Sequence, residues 1–135
     1  MMQRLRKIKA ALHERLPASR LEPLTPEELK ALTKRVENVP DHLLKFFEVI
    51  GCGTIGDSRY MLYDLLSPKG IFDDQTAGEL DGVLLVGDDF AGRHEAYDTR
   101  AKWQFGSVGG AGRFRPHTGY ETIIDFIEDW YASPE

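Results

Sequence analysis

Apolar positions along the chain change spacing once, near Gly53. Before it they recur at intervals of three and four, and after it at intervals of two. Over residues 3–16, Leu5, Ile8, Leu12 and Leu16 share one helical face, and Pro17 ends the pattern. In "LTPEELKALTKRVENVP", Thr25 is placed as an N-cap, Pro26 as the first helical residue and Glu28 as the partner in a capping box; Leu29, Leu32 and Val36 follow as the stripe. Pro40 opens a third helix whose apolar face is Leu43, Phe46, Phe47 and Ile50, widened by Leu44 and Val49 and stopped by Gly51 and Gly53.

Beyond that point "RYMLYDLL" (59–66), "GVLLVG" (82–87), "HEAYDT" (94–99) and "KWQFGS" (102–107) predict strands. The gaps between the last three are too short for crossover helices, so Val83 to Gly106 is expected to be an antiparallel meander, with Gly87 and Gly92 bordering its first turn. A helical turn is expected near residues 76–80, and "GSVGGAGRFRPHTG" (106–119) reads as a glycine-rich loop. A last helix follows, with Thr118 and Glu121 as its capping box and Ile123, Ile127, Trp130 and Tyr131 as its core face. Helices, then strands, then a helix predict one α+β domain across 1–135: a mostly antiparallel sheet packed by N-terminal helices and a C-terminal helix. Residues 1–38 would form a helical N-terminal extension.

Composition narrows the functional classes. Of 135 residues, 41% are hydrophobic and 29% charged, as in soluble globular domains. No apolar run reaches the length of a membrane span, and Lys7, Lys9, His13 and Glu14 interrupt what would be a signal-peptide core, so a cytoplasmic location is expected. A single cysteine, Cys52, excludes an internal disulfide. The charge is uneven. Met1 to Pro40 carries nine Lys or Arg against five Asp or Glu, for +4, and Asp41 to Glu135 carries eight against seventeen, for -9. So acidic a body repels phosphate backbones, which argues against direct nucleic-acid binding, and the basic N-terminal helices read as a solvated face.

The stretch richest in chemistry is "LLVGDDFAGRHEAYDT" (84–99), where Asp88, Asp89 and Asp98 invite a metal-dependent reading. Asp and Gly are also what a hairpin turn requires, and that reading is favoured. His13, His42, His94 and His117 fall in separate elements without zinc spacing. Cys52 lies at a helix C-terminus, whose dipole opposes a thiolate. "GSVGGAGRF" lacks the lysine followed by Ser or Thr of a phosphate-binding P-loop. Trp103, Trp130 and the tyrosines are expected mostly in the core.

Taken in order, "VPDHLLKFFEVIGCGTIG", "YMLYDLLSPKGIFD", "VLLVGDDFAGRHEAYDT", the Trp103 strand and "TGYETIIDFIEDWY" resemble the SUKH superfamily, which includes the Smi and Knr type fungal cell-wall regulators. The resemblance covers residues 39–131. It implies an α+β domain without catalytic residues or cofactor, in which Gly87, Asp88, Gly92 and Asp98 define the fold. Bacterial members of that group are commonly immunity proteins that bind and neutralise a polymorphic toxin, often a nuclease. A protein toxin is therefore the expected partner, and an acidic surface suits a basic one. Its candidate residues are Asp73, Asp74, Asp89 and Glu95 near the loop ends, with Asp125, Glu128 and Asp129 on the outer stripe of the last helix. Two alternatives stand beside this: a regulatory scaffold that binds host proteins, and a small metal-dependent hydrolase built on Asp88, Asp89 and Asp98.

Overall fold

The computed structural model describes residues 1–133. In chain order the elements are α1 (Met2–Arg15), β1 (Arg20–Glu22), α2 (Pro26–Arg35), α3 (Asp41–Val49), β2 (Cys52–Ile55), β3 (Tyr60–Leu66), α4 (Asp74–Glu79), β4 (Val83–Asp88), β5 (His94–Asp98), β6 (Gln104–Val108), β7 (Phe114–Pro116) and α5 (Ile123–Ile127). A π-helical turn, Glu128–Ala132, continues α5. The seven strands form one sheet in the order β1 to β7, with every neighbouring pair antiparallel. Short connections reverse the chain from β2 to β3 and from β4 through β7, whereas α2 and α3 lie between β1 and β2 and α4 lies between β3 and β4. The fold is α+β with an antiparallel sheet, as the pattern of spacings predicts.

Alternation along the strands divides the core in two. Val86, Tyr97 and Phe105 face a large cluster that also takes Leu5, Ile8 and Leu12 from α1, Leu32 from α2, Phe46 and Phe47 from α3, and Ile123, Ile124, Phe126 and Ile127 from α5. Leu85, Ala96 and Val108 face the other way, under Leu80 at the end of α4, with Phe72 and Phe114 at the margin. At about 25 cal/mol per Å² of apolar surface, the larger cluster dominates the hydrophobic stabilisation.

Caps fix where helices begin. Thr25 accepts from the Glu28 N–H at 3.2 Å while Glu28 accepts from the Thr25 N–H at 3.0 Å, which closes the capping box of α2. Gly51, at φ +86°, ends the α3 segment, its N–H reaching the Phe46 carbonyl at 3.1 Å. Among the described residues no helix is long and apolar enough to cross a membrane.

The arrangement of elements departs from the expectations in five places. Segment 1–38 is not wholly helical: β1 lies within it as the sheet's edge, and α1 and α2 supply core rather than an appendage. Cys52 and Gly53 do not simply follow a helix but belong to β2. Residues 106–119 are not one loop: β6 runs to Val108 and β7 returns at Phe114, so the glycine-rich loop is confined to the 109–113 turn between two paired strands. The cap of α5 lies four residues later than the pattern suggested. Thr122 accepts from the Asp125 N–H at 3.3 Å and Asp125 accepts from Thr122 and Glu121 at 3.1 and 3.0 Å. Finally, Trp130 is 59% exposed: it lies on the π turn that continues α5 and stacks over Phe126, with ring centroids 5.7 Å apart. Tyr131 takes the inward place, packed on Tyr60 at 5.4 Å.

Candidate functional site

The acidic hairpin resolves into turn chemistry. Asp88 accepts from the Phe90 N–H at 2.8 Å, and Asp89 accepts from the N–H groups of Ala91 at 2.7 Å and Arg93 at 3.1 Å. Asp98 accepts from the Arg100 N–H at 3.0 Å, starting a single 3-10 turn after β5. Short carboxylates satisfy local N–H groups in this way wherever the chain reverses. Asp88 also accepts from the Tyr63 hydroxyl at 3.1 Å and faces His94 at 3.8 Å. Burial and that carboxylate push the Tyr63 hydroxyl up to about 12, so it stays a donor. In register Asp88 is opposite His94 whereas Asp98 is opposite Val83, the two ends of β5. A strand rise of about 3.3 Å per residue separates the two by roughly 13 Å, too far to share a metal ion. Among the described residues no three His, Cys, Asp or Glu side chains converge as metal ligands.

Gly92, at φ +94°, sits in the turn. Gly87 does not. It is a strand residue at a register shift, and a Cβ there would fall 2.1 Å from the Tyr60 hydroxyl. Its missing side chain lets the Tyr60 ring cross β4 and reach Glu95.

Glu95 corrects the expected acidic surface: its side chain is 0% exposed. It accepts from the Tyr60 hydroxyl at 2.6 Å and from Arg93 Nε at 3.1 Å, and lies 3.3 Å from His117 Nε2. A buried carboxylate is tolerated only when paired and hydrogen-bonded, and these three groups do both. Burial, then the Glu95 charge, holds the Tyr60 hydroxyl well above its ordinary range, which keeps it protonated and donating. The alternation in "HEAYDT" accounts for the position, since Glu95 shares the helix-covered face with Tyr97.

Other expected surface residues divide into held and free. Arg4 grips Asp125 at 2.7 Å and Glu128 at 2.9 Å, tying α1 to α5 and its extension. Partial burial opposes the Asp125 charge, but Arg4 and the two N–H groups outweigh it and hold the carboxyl below its ordinary value. Asp129 accepts from the Tyr120 hydroxyl. Asp73 caps α4, accepting from the Thr76 N–H at 2.8 Å, a bond that also lowers its pKa. Asp74 lies exposed in the next position. Together with Glu79 and Asp81, these give segment 71–81 four carboxylates and no lysine or arginine. Ile71, 41% exposed, adds an apolar contact point, while Ala77 and Leu80 anchor the segment to the sheet.

Two further features were not evident from spacing. The first is a cavity of about 370 Å³ between the β4–β5 and β6–β7 turns, lined by Arg93, Ser107, Gly109, Gly110, Arg113 and Arg115 among others. The Arg-x-Arg spacing of 113 and 115 was its one signal. The second joins three elements: Tyr97 Oη accepts from the Ile123 N–H at 3.0 Å and meets His42 Nε2 at 2.9 Å. Burial lowers the His42 pKa, so the ring meets Tyr97 as a neutral imidazole. Cys52 is half-buried, and burial pushes its thiol up to about 12, away from nucleophilic use.

No protein-family model matches this chain, and no curated protein is similar to it in sequence.

Proposed function

We propose that the chain is a non-catalytic, cytoplasmic binding module of immunity type, whose α4 face meets a basic protein toxin of nuclease kind. The observation that carries this reading is segment 71–81, with four carboxylates, of which Asp81 meets Arg100 at 3.5 Å and Asp73, Asp74 and Glu79 meet no cation among the described residues, and an exposed Ile71. A one-sign patch raises the encounter rate with an opposite-sign partner and rejects like-charged ones. An apolar side chain at its edge supplies the desolvated contact that charge alone lacks. The hairpin carboxylates support binding over turnover, because Asp88, Asp89 and Asp98 are each committed to backbone N–H groups. The sequence resemblance to SUKH immunity proteins points the same way.

Co-expression with the product of the adjacent gene tests this. If that product is the toxin, growth should be restored and a stoichiometric complex should co-purify. Unrelieved toxicity with no complex formed would contradict the reading.

A further inference from the structure

The cavity between the two turns is a local reversal of the charge around it. Of the eight Lys or Arg residues between Asp41 and Glu135, three line this one space, in a segment that carries seventeen acidic residues. Register explains the convergence: Glu95 is opposite Ser107 and Ser107 is opposite Arg115, so one cross-strand row leads from the buried carboxylate to the open edge.

The three arginines are not equivalent. Arg93 donates through Nε to the buried Glu95 at 3.1 Å, so it is held in place with its charge compensated. Arg113 and Arg115 make no ion pair among the described residues. Two uncompensated guanidinium groups beside one cavity repel each other and favour a counter-charge. Gly109 and Gly110 leave the far wall bare, since a Cβ at either would meet nothing within 4 Å. The Ser107 hydroxyl adds a small neutral donor.

We propose that this cavity binds a small phosphomonoester, its phosphoryl group held by Arg113 and Arg115 with Ser107 and the Gly109–Gly110 backbone completing the cradle. Geometry selects phosphate over carboxylate: a phosphomonoester puts a charge of about -1.5 to -2 and three oxygens on one centre that both guanidinium forks can reach, whereas a carboxylate, even in a tricarboxylate, offers one charge and two oxygens per centre. Arginine forks pair in parallel with phosphate oxygens, and glycine backbone can approach them closely. Size selects an esterified phosphate over the bare ion, because about 370 Å³ lies within the roughly 300 to 1,000 Å³ of small-molecule sites. None of the residues lining the cavity belongs to segment 71–81, and the 109–113 turn meets α4 only at its back, where Gly112 abuts Thr76; phosphate binding is read on the isolated chain, so failure of this inference and failure of the toxin-binding reading are distinguishable.

Calorimetric titration at low salt with glucose 6-phosphate, inorganic phosphate and citrate as probes tests it. Glucose 6-phosphate should bind, inorganic phosphate should bind more weakly at the same residues, and citrate should be weaker than both. Arg113→Ala with Arg115→Ala should weaken the phosphate probes at least tenfold, and Arg6→Ala on α1 should change nothing. The double replacement by lysine keeps charge but loses the fork; it should give an intermediate affinity and covers the case in which the alanine variant does not fold. Absence of heat with both phosphate probes would overturn the proposal. So would binding that survives the double alanine change in a folded protein, or citrate binding as tightly as glucose 6-phosphate.

Discussion

The face of the sheet that receives α1, α2, α3 and α5 buries Phe46, Phe47, Tyr60, Tyr97, Phe105 and Phe126 in one cluster, whereas the face under α4 holds Leu80, Val83, Leu85, Ala96 and Val108. The first face also contains the buried polar contacts, Tyr60 with Glu95 and His42 with Tyr97, and is locked at its rim by Arg4 on Asp125 and Glu128. The second is covered by a six-residue helix that sends Ala77 inward and is followed by Leu80. Stability is therefore concentrated on one face, and the other carries exposed carboxylates that can change with little effect on folding.

The largest effect should come from the centre of the first face. Phe126 touches Tyr60, Phe105, His117, Tyr120, Trp130 and Tyr131 in ring contacts between 5.6 and 6.4 Å. Phe126→Ala should cost about 3 to 5 kcal/mol in urea unfolding. A loss under about 1 kcal/mol would show that α5 does not close the core. Next comes Tyr60→Phe, which leaves a buried Glu95 oxygen without its donor and should cost about 1.5 to 3 kcal/mol, as for hydrogen bonds to charged groups. Tyr63→Phe, on the partly exposed Asp88 bond, should cost less than about 1 kcal/mol by the same measurement. Equal losses would mean that the Glu95 site is solvated.

A smaller effect should follow pH. Because the folded state lowers the His42 pKa, both states are neutral above the ordinary value near about 6.5 and the group contributes no slope there. Below it the unfolded chain takes up a proton that the folded chain resists, so stability falls as pH drops toward the lowered value. His42→Gln, which keeps an acceptor for Tyr97, should flatten the melting-temperature profile between pH 7 and 5. An unchanged profile would assign the acid sensitivity to other groups. The smallest effects belong to the surface: Trp130→Ala should cost less than about 1 kcal/mol despite its size. Asp74→Lys with Glu79→Lys should shift stability by no more than about 0.5 kcal/mol per site.

Periodicity made the large elements legible because each is set by its own residues: α1, the capping box of α2, the Phe46 face of α3 and the central strands follow from local spacing. The edge strands β1 and β7 are three residues each, too short to show a period, and exist because a neighbour offers free backbone groups. The start of α5 is ambiguous in sequence because Thr118-x-x-Glu121 and Thr122-x-x-Asp125 both carry capping chemistry, and only the packing of Ile123 and Ile124 selects the second. A 3.6-residue period places Trp130 inward, and the π turn breaks that period. At the site, the hairpin carboxylates could be recognised as turn formers from the sequence, but Glu95 could not be told from a surface acid. Its burial depends on a glycine eight residues earlier and a tyrosine two strands away. The arginine cavity depends on two hairpins ending side by side, which spacing within either one does not record.

In the proposed function, recognition of the partner resides on the α4 face while the fold resides on the other. Binding kinetics of the purified toxin against the native chain, the Asp74→Lys/Glu79→Lys variant and a Glu14→Lys control on α1 test it most directly. Association of the α4 variant should be at least tenfold slower, a difference largely erased by high salt, with the control unchanged and both variants melting like the native chain. Association of the α4 variant at the native rate in low salt would contradict it.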